Sequence, residues 1–455
     1  MKRLKLAALA AASTVALMSP AMAAKYILQA GTAGFPADLD AQVTRAGGVL
    51  EKTFPFGVAI VSASKAFKIK GVSVALDVGY DTQQERIVTS DELSEFVGPP
   101  NSGDNDRFFN LQYGHNYVGA VESWNKGFRG AGVRVAVLDT GFDLDHVDLE
   151  ANIDFASSAD MTGEGLSFGV PGFSHGTHVA GTIAARDNGI GTIGVAPEAT
   201  LVLVKVLSDA GSGSFEDIID GIYHAANQNV QVMNMSLGTV IPRASSAPGN
   251  LPGDSALISA LANAVKAAMA YATAQGVTVV VSAGNNAADL DGDGSNVRFQ
   301  TGLGHNLGIA ATTAVGYYAG GSSFPNSGQT LVPASYTNYG TSMVDFAAPG
   351  GDALYPGNEL CVVPAGAGTI TQFCWVLDLI LSTSSNLNPA VASYAWAGGT
   401  SMASPHAAGV AALIISETGN SDPEFVAAEM RKRAVDGGKA GRDDFFGHGQ
   451  ANTGN

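Results

Sequence analysis

Four strongly apolar segments alternate with helical segments between Gly130 and Gly449, and this order limits the chain to one class of fold. The apolar segments lack a strict alternation of apolar and polar residues, as expected of strands buried on both faces. In chain order they read VRVAVLD, LVLVKVL, VQVMNMS and VTVVVSAG. The helical stretches cover 177–186, 215–228, 256–274 and 401–416. Two further stretches, 239–254 and 351–395, are rich in Gly, Pro and Ser and are expected to be surface loops. This order predicts an α/β fold in which helices cover both faces of a mostly parallel β-sheet.

A smaller unit precedes this region. Residues 24–90 contain the strand-like segments KYILQA, FGVAIVSA and VSVALDV and a short helical stretch from Asp38 to Gly47, which together predict a small α+β domain. Residues 91–106 are polar and contain Pro and Gly, which predicts an exposed hinge that includes the processing region. The main domain is then expected to cover 107–455.

The first 23 residues have the pattern of a secretory signal peptide. Basic residues between Met1 and Lys5 precede an apolar run from Leu6 to Met18, and Ala21-Met22-Ala23 has the small-x-small form of a cleavage site. The apolar run is shorter than the roughly 20 residues that a membrane-spanning helix needs. The sequence therefore predicts a secreted protein without a membrane anchor, extracellular or, in a host with an outer membrane, periplasmic.

The composition is acidic. The chain carries 41 Asp and Glu residues against 24 Lys and Arg residues, which gives a net charge of −17. Such a surface repels nucleic acids and anionic membranes, so neither is expected as a partner. It is compatible with cation binding.

Cys361 and Cys374 are the two cysteines of the chain. In an oxidising compartment, two cysteines thirteen positions apart predict a disulfide. Neither has the His or Cys neighbours of a zinc site, so we expect a structural role.

Three side chains with complementary chemistry occur at the ends of predicted elements. Asp139 follows the apolar run AVLD, His175 opens HGTHVAGTIAA, and Ser401 precedes a long apolar helix. A serine hydroxyl at a helix N-terminus can become a nucleophile when a base is delivered to it. These three side chains can converge in the fold, with Ser401 as the nucleophile, His175 as its base and Asp139 as the carboxylate that orients the base.

Five segments resemble those of the subtilisin-like serine proteases. VAVLDTGFDLDHVDL, SHGTHVAGTIAA and GGTSMASPHAAGVAAL are similar to the three catalytic segments, around Asp139, His175 and Ser401. VVVSAGN, which ends at Asn285, resembles the segment of the oxyanion-hole asparagine, and NMSLG at 234–238 resembles the substrate-binding strand. The resemblance implies a serine endopeptidase that acts through an acyl-enzyme and needs no cofactor for catalysis.

The resemblance also implies how the chain is made and what it binds. The size and position of residues 24–90 resemble the family's pro-domain, an intramolecular inhibitor and folding aid that is removed by self-processing. Polypeptides are the implied substrates, and we expect a monomer. The implied walls of the substrate cleft are two short segments, Ser236-Leu237-Gly238 and Ser282-Ala283-Gly284. Small residues in the second wall predict a pocket that admits a sizeable side chain without selecting a charge.

Structural Ca²⁺ is implied at one loop pair. Asp148 and Asn188 resemble side-chain ligands of the family's tight calcium site, and the backbone carbonyls of Arg186, Ile190 and Thr192 would complete an oxygen cage. The arrangement predicts a stabilising ion with no part in the chemistry.

A second acidic loop has two interpretations. The alternating carboxylates of Asp289, Asp291 and Asp293 match the front half of an EF-hand loop. Gln300 stands where an EF-hand has its bidentate glutamate, so a full EF-hand is absent. The segment is either a further calcium site or a polar turn.

Two other classes of protein remain open at this stage. One is a catalytically silent subtilisin-like binding protein, which would keep the fold without turnover. The other is the carboxyl-type serine protease class, in which a glutamate replaces the histidine, and the intact HGTH segment at His175 argues against it.

Overall fold

The computed structural model describes residues 23–82, 85–90, 105–170, 172–242, 255–292, 294–299, 301–319, 330–385 and 392–454. The predicted signal peptide, apart from its last residue, and most of the predicted hinge lie outside these ranges. Among the described residues, no helix is long and apolar enough to cross a membrane.

The N-terminal unit is a small antiparallel sheet with one helix. Its elements are β1 (Ala24–Ala30), α1 (Leu39–Arg45), β2 (Gly48–Phe54), β3 (Val58–Ala63) and β4 (Val72–Leu76). The strands lie in the order β2-β3-β1-β4, and buried Leu28, Val43 and Val61 form part of the unit's core. Two further strands, β5 (Tyr80–Asp81) and β6 (Arg86–Ser90), leave the unit and pair with the larger domain.

Eight strands of described residues form the central sheet of the larger domain. They are β7 (Arg134–Asp139), β8 (Ala159–Asp160), β9 (Thr200–Lys205), β11 (Val232–Met235), β13 (Thr278–Ser282), β15 (Leu307–Thr313), β16 (Val332–Pro333) and β17 (Phe346–Pro349). Their order is β8-β9-β7-β11-β13-β15-β16, with β17 also paired to β15. All pairs are parallel except β15 with β16, which confirms the predicted mostly parallel sheet.

Helices cover both faces of this sheet because alternate side chains of each strand point to opposite sides. Val135 and Val137 of β7 join one core with α4 (His175–Ala184) and α8 (Thr400–Thr418). Their neighbours Ala136 and Leu138 join a second core with α5 (Phe215–Ala226) and α6 (Ser255–Ala274). The other helices are α2 (Gly114–Tyr117), α3 (Ala120–Asn125), α7 (Cys374–Leu377) and α9 (Pro423–Arg433), with 3₁₀ turns at Phe109–Leu111, Glu150–Asn152 and Thr301–Leu303.

The expectation that 351–395 is a surface loop is wrong. The segment contains the hairpin β18 (Leu360–Ala365) and β19 (Gly368–Phe373), then α7, β20 (Ile380–Ser384) and the first residues of β21 (Ser393–Gly398). The Cys361–Cys374 disulfide is present and ties the start of the hairpin to α7, as predicted. The remaining strands are β10 (Ser212–Gly213), β12 (Val240–Pro242) and β14 (Asn296–Arg298).

The N-terminal unit packs against α5 and α6. The ring of Phe54 lies 5.4 Å from that of Tyr223, and the ring of Phe56 lies 5.3 Å from that of Tyr271. The Asp77 carboxylate accepts hydrogen bonds from the first two backbone N–H groups of α5, at 3.0 and 3.2 Å. A carboxylate is favoured at a helix N-terminus, so this contact fixes the unit on the larger domain.

Candidate active site

One edge of the central sheet collects the residues that the sequence singled out. Asp139 is the last residue of β7, Ser236 follows β11, and Ser282 ends β13 three positions before Asn285. Parallel strands end at the same edge, which is where α/β sheets bind their ligands. The sheet topology therefore brings together segments that are up to 146 positions apart in the chain.

Asp139 and His175 form the closest polar contact of the site. Asp139 is fully buried, and its Oδ1 accepts from His175 Nδ1 at 2.6 Å and from Thr140 N at 2.7 Å. His175 opens α4, and the Ser174 side chain caps that helix by accepting from Thr177 N at 3.1 Å. The cap fixes where the helix begins, and hence where the imidazole lies.

Ser401 is the second residue of α8 and is 7% exposed. Its Oγ donates to the backbone carbonyl of Ser236 at 3.2 Å. Pro405 has no N–H with which to reach the Ser401 carbonyl one turn back, and the Ser236 hydroxyl donates to that carbonyl instead, at 2.8 Å. This hydrogen bond ties the start of α8 to the end of β11.

Glu85, from the N-terminal part of the chain, lies against His175. Its Oε1 is 3.1 Å from His175 Nε2, and its side chain is 4% exposed. No hydrogen bond joins His175 to Ser401, both of which are described, although a working triad requires one. No motif surrounds Glu85, so its contact with His175 could not be predicted from the sequence.

Both ring nitrogens of His175 therefore face carboxylate oxygens, which only accept hydrogen bonds when ionised. Burial alone would lower the pKa of His175, but the charges of Asp139 and Glu85 outweigh it and raise that pKa well above its ordinary value. In this state both ring nitrogens carry a proton, so Nε2 has no free lone pair with which to accept another proton.

Thr400 orients the predicted oxyanion residue. Asn285 Oδ1 accepts from Thr400 N at 2.9 Å and from Thr400 Oγ1 at 2.8 Å, and Thr400 Oγ1 also accepts from Gly284 N at 3.0 Å. Because the backbone N–H can only donate, Oδ1 of Asn285 is assigned and Nδ2 is left as the donor end of the amide. The contacts of Thr400 with Asn285 could not be predicted, because only the position of Thr400 before Ser401 distinguishes it in the sequence.

The predicted cleft walls differ in exposure. Leu237 is buried in the core with α5 and α6, and Ala283 is buried beside Leu290. Ser236 and Ser282 are also mostly buried, so the partly exposed Gly238 and Gly284 contribute backbone to the walls. A further strand edge could not be predicted, because Ser212–Gly213 carries no strand pattern in the sequence; it forms β10, which pairs with β5.

The first predicted calcium loops come together. Asp148 is fully buried, and its carboxylate accepts from Asn188 Nδ2 at 3.2 Å, Thr192 N at 3.0 Å and Tyr394 Oη at 2.9 Å. Arg186 N donates to the Asp148 carbonyl at 2.8 Å, and Ile190 N donates to Asn188 Oδ1 at 3.1 Å.

A further acid joins this site. Asp106 is buried, its Oδ1 accepts from Asn188 N, and its Oδ2 has no hydrogen-bond partner in the described part of the chain. Burial raises the pKa of Asp148 to about 7 and also raises that of Asp106, which lies near Asp187 and Asp148. Even so, no three Asp, Glu, His or Cys side chains in the described ranges are arranged to hold a metal ion.

The second acidic loop is a hydrogen-bonded turn. Asp289 Oδ1 accepts from the backbone N–H groups of Asp291 and Gly292. The Asp291 carboxylate accepts three hydrogen bonds from Thr341 and Ser342, which lower its pKa. Asp293 lies outside the described residues. These donors occupy the Asp291 oxygens, so the two described carboxylates do not fit an EF-hand-like cage.

Comparison with known proteins assigns the family. The sequence pattern described as the Subtilase family matches residues 130–449, more than half of the chain. An "Intracellular serine protease" of Paenibacillus polymyxa is 34% identical over 330 residues, which are 71% of this chain and 79% of that protein. "Subtilisin E" of Bacillus subtilis (strain 168) is 30% identical over 347 residues, which are 75% of this chain and 70% of that protein.

The fold likeness extends to the N-terminal unit. Fervidolysin from Fervidobacterium pennivorans, described as a keratinolytic enzyme related to subtilisin, superposes with a TM-score of 0.65. The match covers 96% of this chain and 61% of that one, at 23% identity. The expectations of a subtilisin-like fold and a serine endopeptidase are confirmed. The chain belongs to the subtilase family and is a subtilisin-like serine endopeptidase.

Proposed function

We propose that the protein is a secreted endopeptidase, made as a self-processed precursor, that cleaves peptide bonds with a triad of Asp139, His175 and Ser401. The observation that carries this proposal is the 2.6 Å contact between His175 Nδ1 and the fully buried Asp139 carboxylate. A buried carboxylate on Nδ1 is the arrangement that makes the opposite nitrogen of the ring a base.

The proposed reaction has two stages. Ser401 Oγ attacks the carbonyl carbon of the scissile bond while His175 Nε2 takes its proton and then gives it to the leaving amine. The acyl group stays on Ser401 until water, activated by the same nitrogen, releases it. Asp139 keeps the proton on Nδ1 and stabilises the charged ring. For this reaction Glu85 must leave Nε2 so that Ser401 can approach it.

The oxyanion of the tetrahedral intermediate would be bound by Asn285 Nδ2 and the backbone N–H of Ser401. Support comes from the contacts with Thr400, which fix Asn285 Oδ1 and leave Nδ2 as the donor. Donors that are oriented before the reaction need no reorganisation when charge develops, and this is why such groups contribute strongly.

Extended polypeptides are the proposed substrates. The two predicted cleft walls offer backbone groups and small side chains, and β10 and β21 offer strand edges that an added strand can pair with. Neither Ser236–Gly238 nor Ser282–Gly284 carries a charge that would select Lys or Arg in the first pocket.

The N-terminal sequence supports the proposal that the protein is exported and matured by processing. Residues 1–23 have the signal pattern, and the N-terminal unit has the position of an inhibitory pro-domain whose chain continues into the cleft. One similar protein is named as intracellular, so the relatives' names alone do not decide localisation.

We also propose a structural Ca²⁺ at Asp148 and Asn188, with Asp106 as a third side chain. The unpartnered Oδ2 of Asp106 and the burial of two neighbouring carboxylates are what a bound cation would compensate. Such an ion would neutralise these carboxylates and hold the loop after α4. It would take no part in peptide hydrolysis.

A fluorophosphonate probe tests the proposed chemistry. The probe should label processed enzyme at Ser401, and the Ser401→Ala protein, matured in trans by a trace of wild-type enzyme, should not be labelled. Processed, folded wild-type enzyme that resists the probe would contradict the triad. It would favour the silent binding protein, which the family assignment does not favour.

A further inference from the structure

Two described parts of the chain after β4, residues 80–82 and 85–90, lie in the cleft. In the first, Tyr80–Asp81 pairs antiparallel with Ser212–Gly213, and Thr82 N donates to Gly211 O at 3.0 Å. In the second, Arg86–Ser90 pairs antiparallel with the strand β21 that leads into Ser401. The chain thus lies in the cleft as an added strand on both sides of the catalytic residues.

The C-terminal half of this pairing is extensive. Five consecutive residue pairs join β6 to β21, from Tyr394 with Ser90 to Gly398 with Arg86. In a substrate with the same chain direction, residues after the cleaved bond would lie where β6 lies. The edge of β21 is therefore a strand-binding surface on the leaving-group side of the cleft.

Glu85 stands at the head of β6, next to the catalytic turn. A Cβ built on Gly399 would come within 2.8 Å of Glu85 Oε1, so the carboxylate occupies the space beside the turn that precedes Ser401. Its other oxygen, Oε2, is buried with no hydrogen-bond partner among the described residues. A carboxylate buried in this way needs a cationic partner, and His175 is the group that it touches.

We propose that Glu85 makes β6 an autoinhibitory strand: with β6 paired to the edge of β21, the Glu85 carboxylate occupies the histidine nitrogen that Ser401 needs. This inference rests on the proposed triad. It explains why Ser401 Oγ is hydrogen-bonded to Ser236 O while His175 Nε2 is hydrogen-bonded to Glu85. It also gives the intact chain a reason to be inactive beyond simple blockage, since the carboxylate keeps the base charged.

The Glu85→Gln variant tests the carboxylate in the intact chain. Glutamine has nearly the same shape but cannot pair with a charged imidazole, so self-processing of the purified precursor should become about tenfold faster or more, because each unit removed from the pKa of His175 gives about tenfold more neutral base. Asp40→Asn, which removes one exposed acid elsewhere in the N-terminal unit, is the matched control and should process at the wild-type rate.

A spectroscopic measurement separates this effect from a loosened strand. In the Ser401→Ala precursor at pH 7, the ¹⁵N resonances of His175 should be those of a charged ring. In the Glu85→Gln, Ser401→Ala precursor they should move towards the neutral form, while the melting temperature stays close to that of the single variant. A neutral ring in the Ser401→Ala precursor would overturn the proposal.

The binding edge is tested in trans. A capped peptide with the sequence of residues 85–90, Glu-Arg-Ile-Val-Thr-Ser, should inhibit processed enzyme competitively, and its Glu85→Gln counterpart should be several-fold weaker. Equal processing rates for Glu85→Gln and wild type, or peptides that do not inhibit, would refute the autoinhibitory strand while fluorophosphonate labelling still supports the triad. Loss of labelling in processed enzyme would instead refute the proposed function itself.

Discussion

Asn285, the proposed oxyanion-hole residue, is held in place by Thr400, the residue before the proposed nucleophile. Thr400 binds its carbonyl end with both a backbone N–H and a hydroxyl, and the same hydroxyl accepts from Gly284 N. These three contacts leave the amide little freedom to rotate. Nδ2 is thus oriented before a substrate arrives, which is the condition under which a hydrogen-bond donor lowers an activation barrier.

Asn285→Ala should lower kcat of the processed enzyme by roughly 10²–10³, the usual contribution of one oxyanion-hole donor, with little change in KM. Asn285→Asp is the more specific variant, because it keeps an oxygen for Thr400 to donate to and replaces only the donor. It should lose at least as much activity as the alanine variant. Unchanged kcat with a raised KM would assign Asn285 to substrate binding instead.

Site residues that lie in a sequence motif could be predicted, whereas contacts between distant segments could not. The positions of Asp139 and His175 follow from the strand and helix that end or begin there, and the structure joins them. Glu85 meets His175 from 90 positions away, and its local sequence has no feature that would predict this. The bond from Ser236 Oγ to the Ser401 carbonyl likewise depends on a proline four residues later, which reads locally as a helix breaker.

The strands and helices that could be predicted from the sequence are those with a clear hydrophobic pattern. The four apolar runs and four helical stretches appear within a few residues of their predicted bounds, because doubly covered strands and buried helices leave continuous apolar sequence. The hairpin in 351–395 was missed because its two strands expose one face to solvent. Leu360 and Val362 are exposed while Cys361 and Val363 are buried, so the segment shows alternation among Gly and Pro residues that suggested a loop.

Three helices, α2, α4 and α8, each carry a buried histidine. His115 of α2 and His406 of α8 have ring centroids 6.0 Å apart, and His178 of α4 binds the carbonyls of Ile380 and Ala395. Burial lowers the pKa of His406 to about 3 and those of His115 and His178 to about 4. These rings therefore stay neutral in the folded protein far below the pH at which they become charged in an unfolded chain.

The sign of the pH effect follows from this difference. His406 has a folded pKa of about 3 against an ordinary value of 6.5, so its stabilising contribution is complete above pH 6.5 and is lost as the pH falls towards 3. In the Ser401→Ala background, the free energy of unfolding should fall relative to that of the His406→Gln variant by about 1.4 kcal/mol per pH unit below 6.5. Denaturant unfolding at several pH values measures this difference, and a pH-independent difference would contradict a buried neutral His406.

At the scale of the whole molecule, strands β5 and β6 join the N-terminal unit to the edges of β10 and β21 in the larger domain. The sequence predicted a hinge with the processing region at 91–106, because that stretch is polar and rich in turn-forming residues. Among the described residues, the chain meets His175 at Glu85, ahead of that stretch, and strands β5 and β6 bind on either side. No periodic pattern marks such a segment, since its conformation is imposed by the edges of β10 and β21.

Stability of the whole molecule should depend on Ca²⁺ at the loops that follow β7 and α4. A ligand that binds only the folded protein stabilises it by RT ln(1 + [L]/Kd), about 2.7 kcal/mol at a hundredfold excess over Kd. Chelation should therefore lower the melting temperature of the Ser401→Ala protein, in which self-digestion cannot interfere. Activity of the wild-type enzyme measured immediately after chelation should change little, because the ion has no part in the proposed chemistry.

Two variants test whether the loops around Asp148 and Asn188 are the ones that bind calcium. Asp148→Ala should abolish most of the stabilisation by added calcium, because it removes the buried carboxylate at the centre of the site. Asp291→Ala is the matched control: it should lower the melting temperature by releasing the backbone of Thr341 and Ser342, yet leave the response to calcium intact. If chelation does not move the melting curve, the buried acids are balanced by protein donors alone. If Asp291→Ala removes the response instead, the ion belongs to the second loop, and the first would need another explanation for the unpartnered oxygen of Asp106.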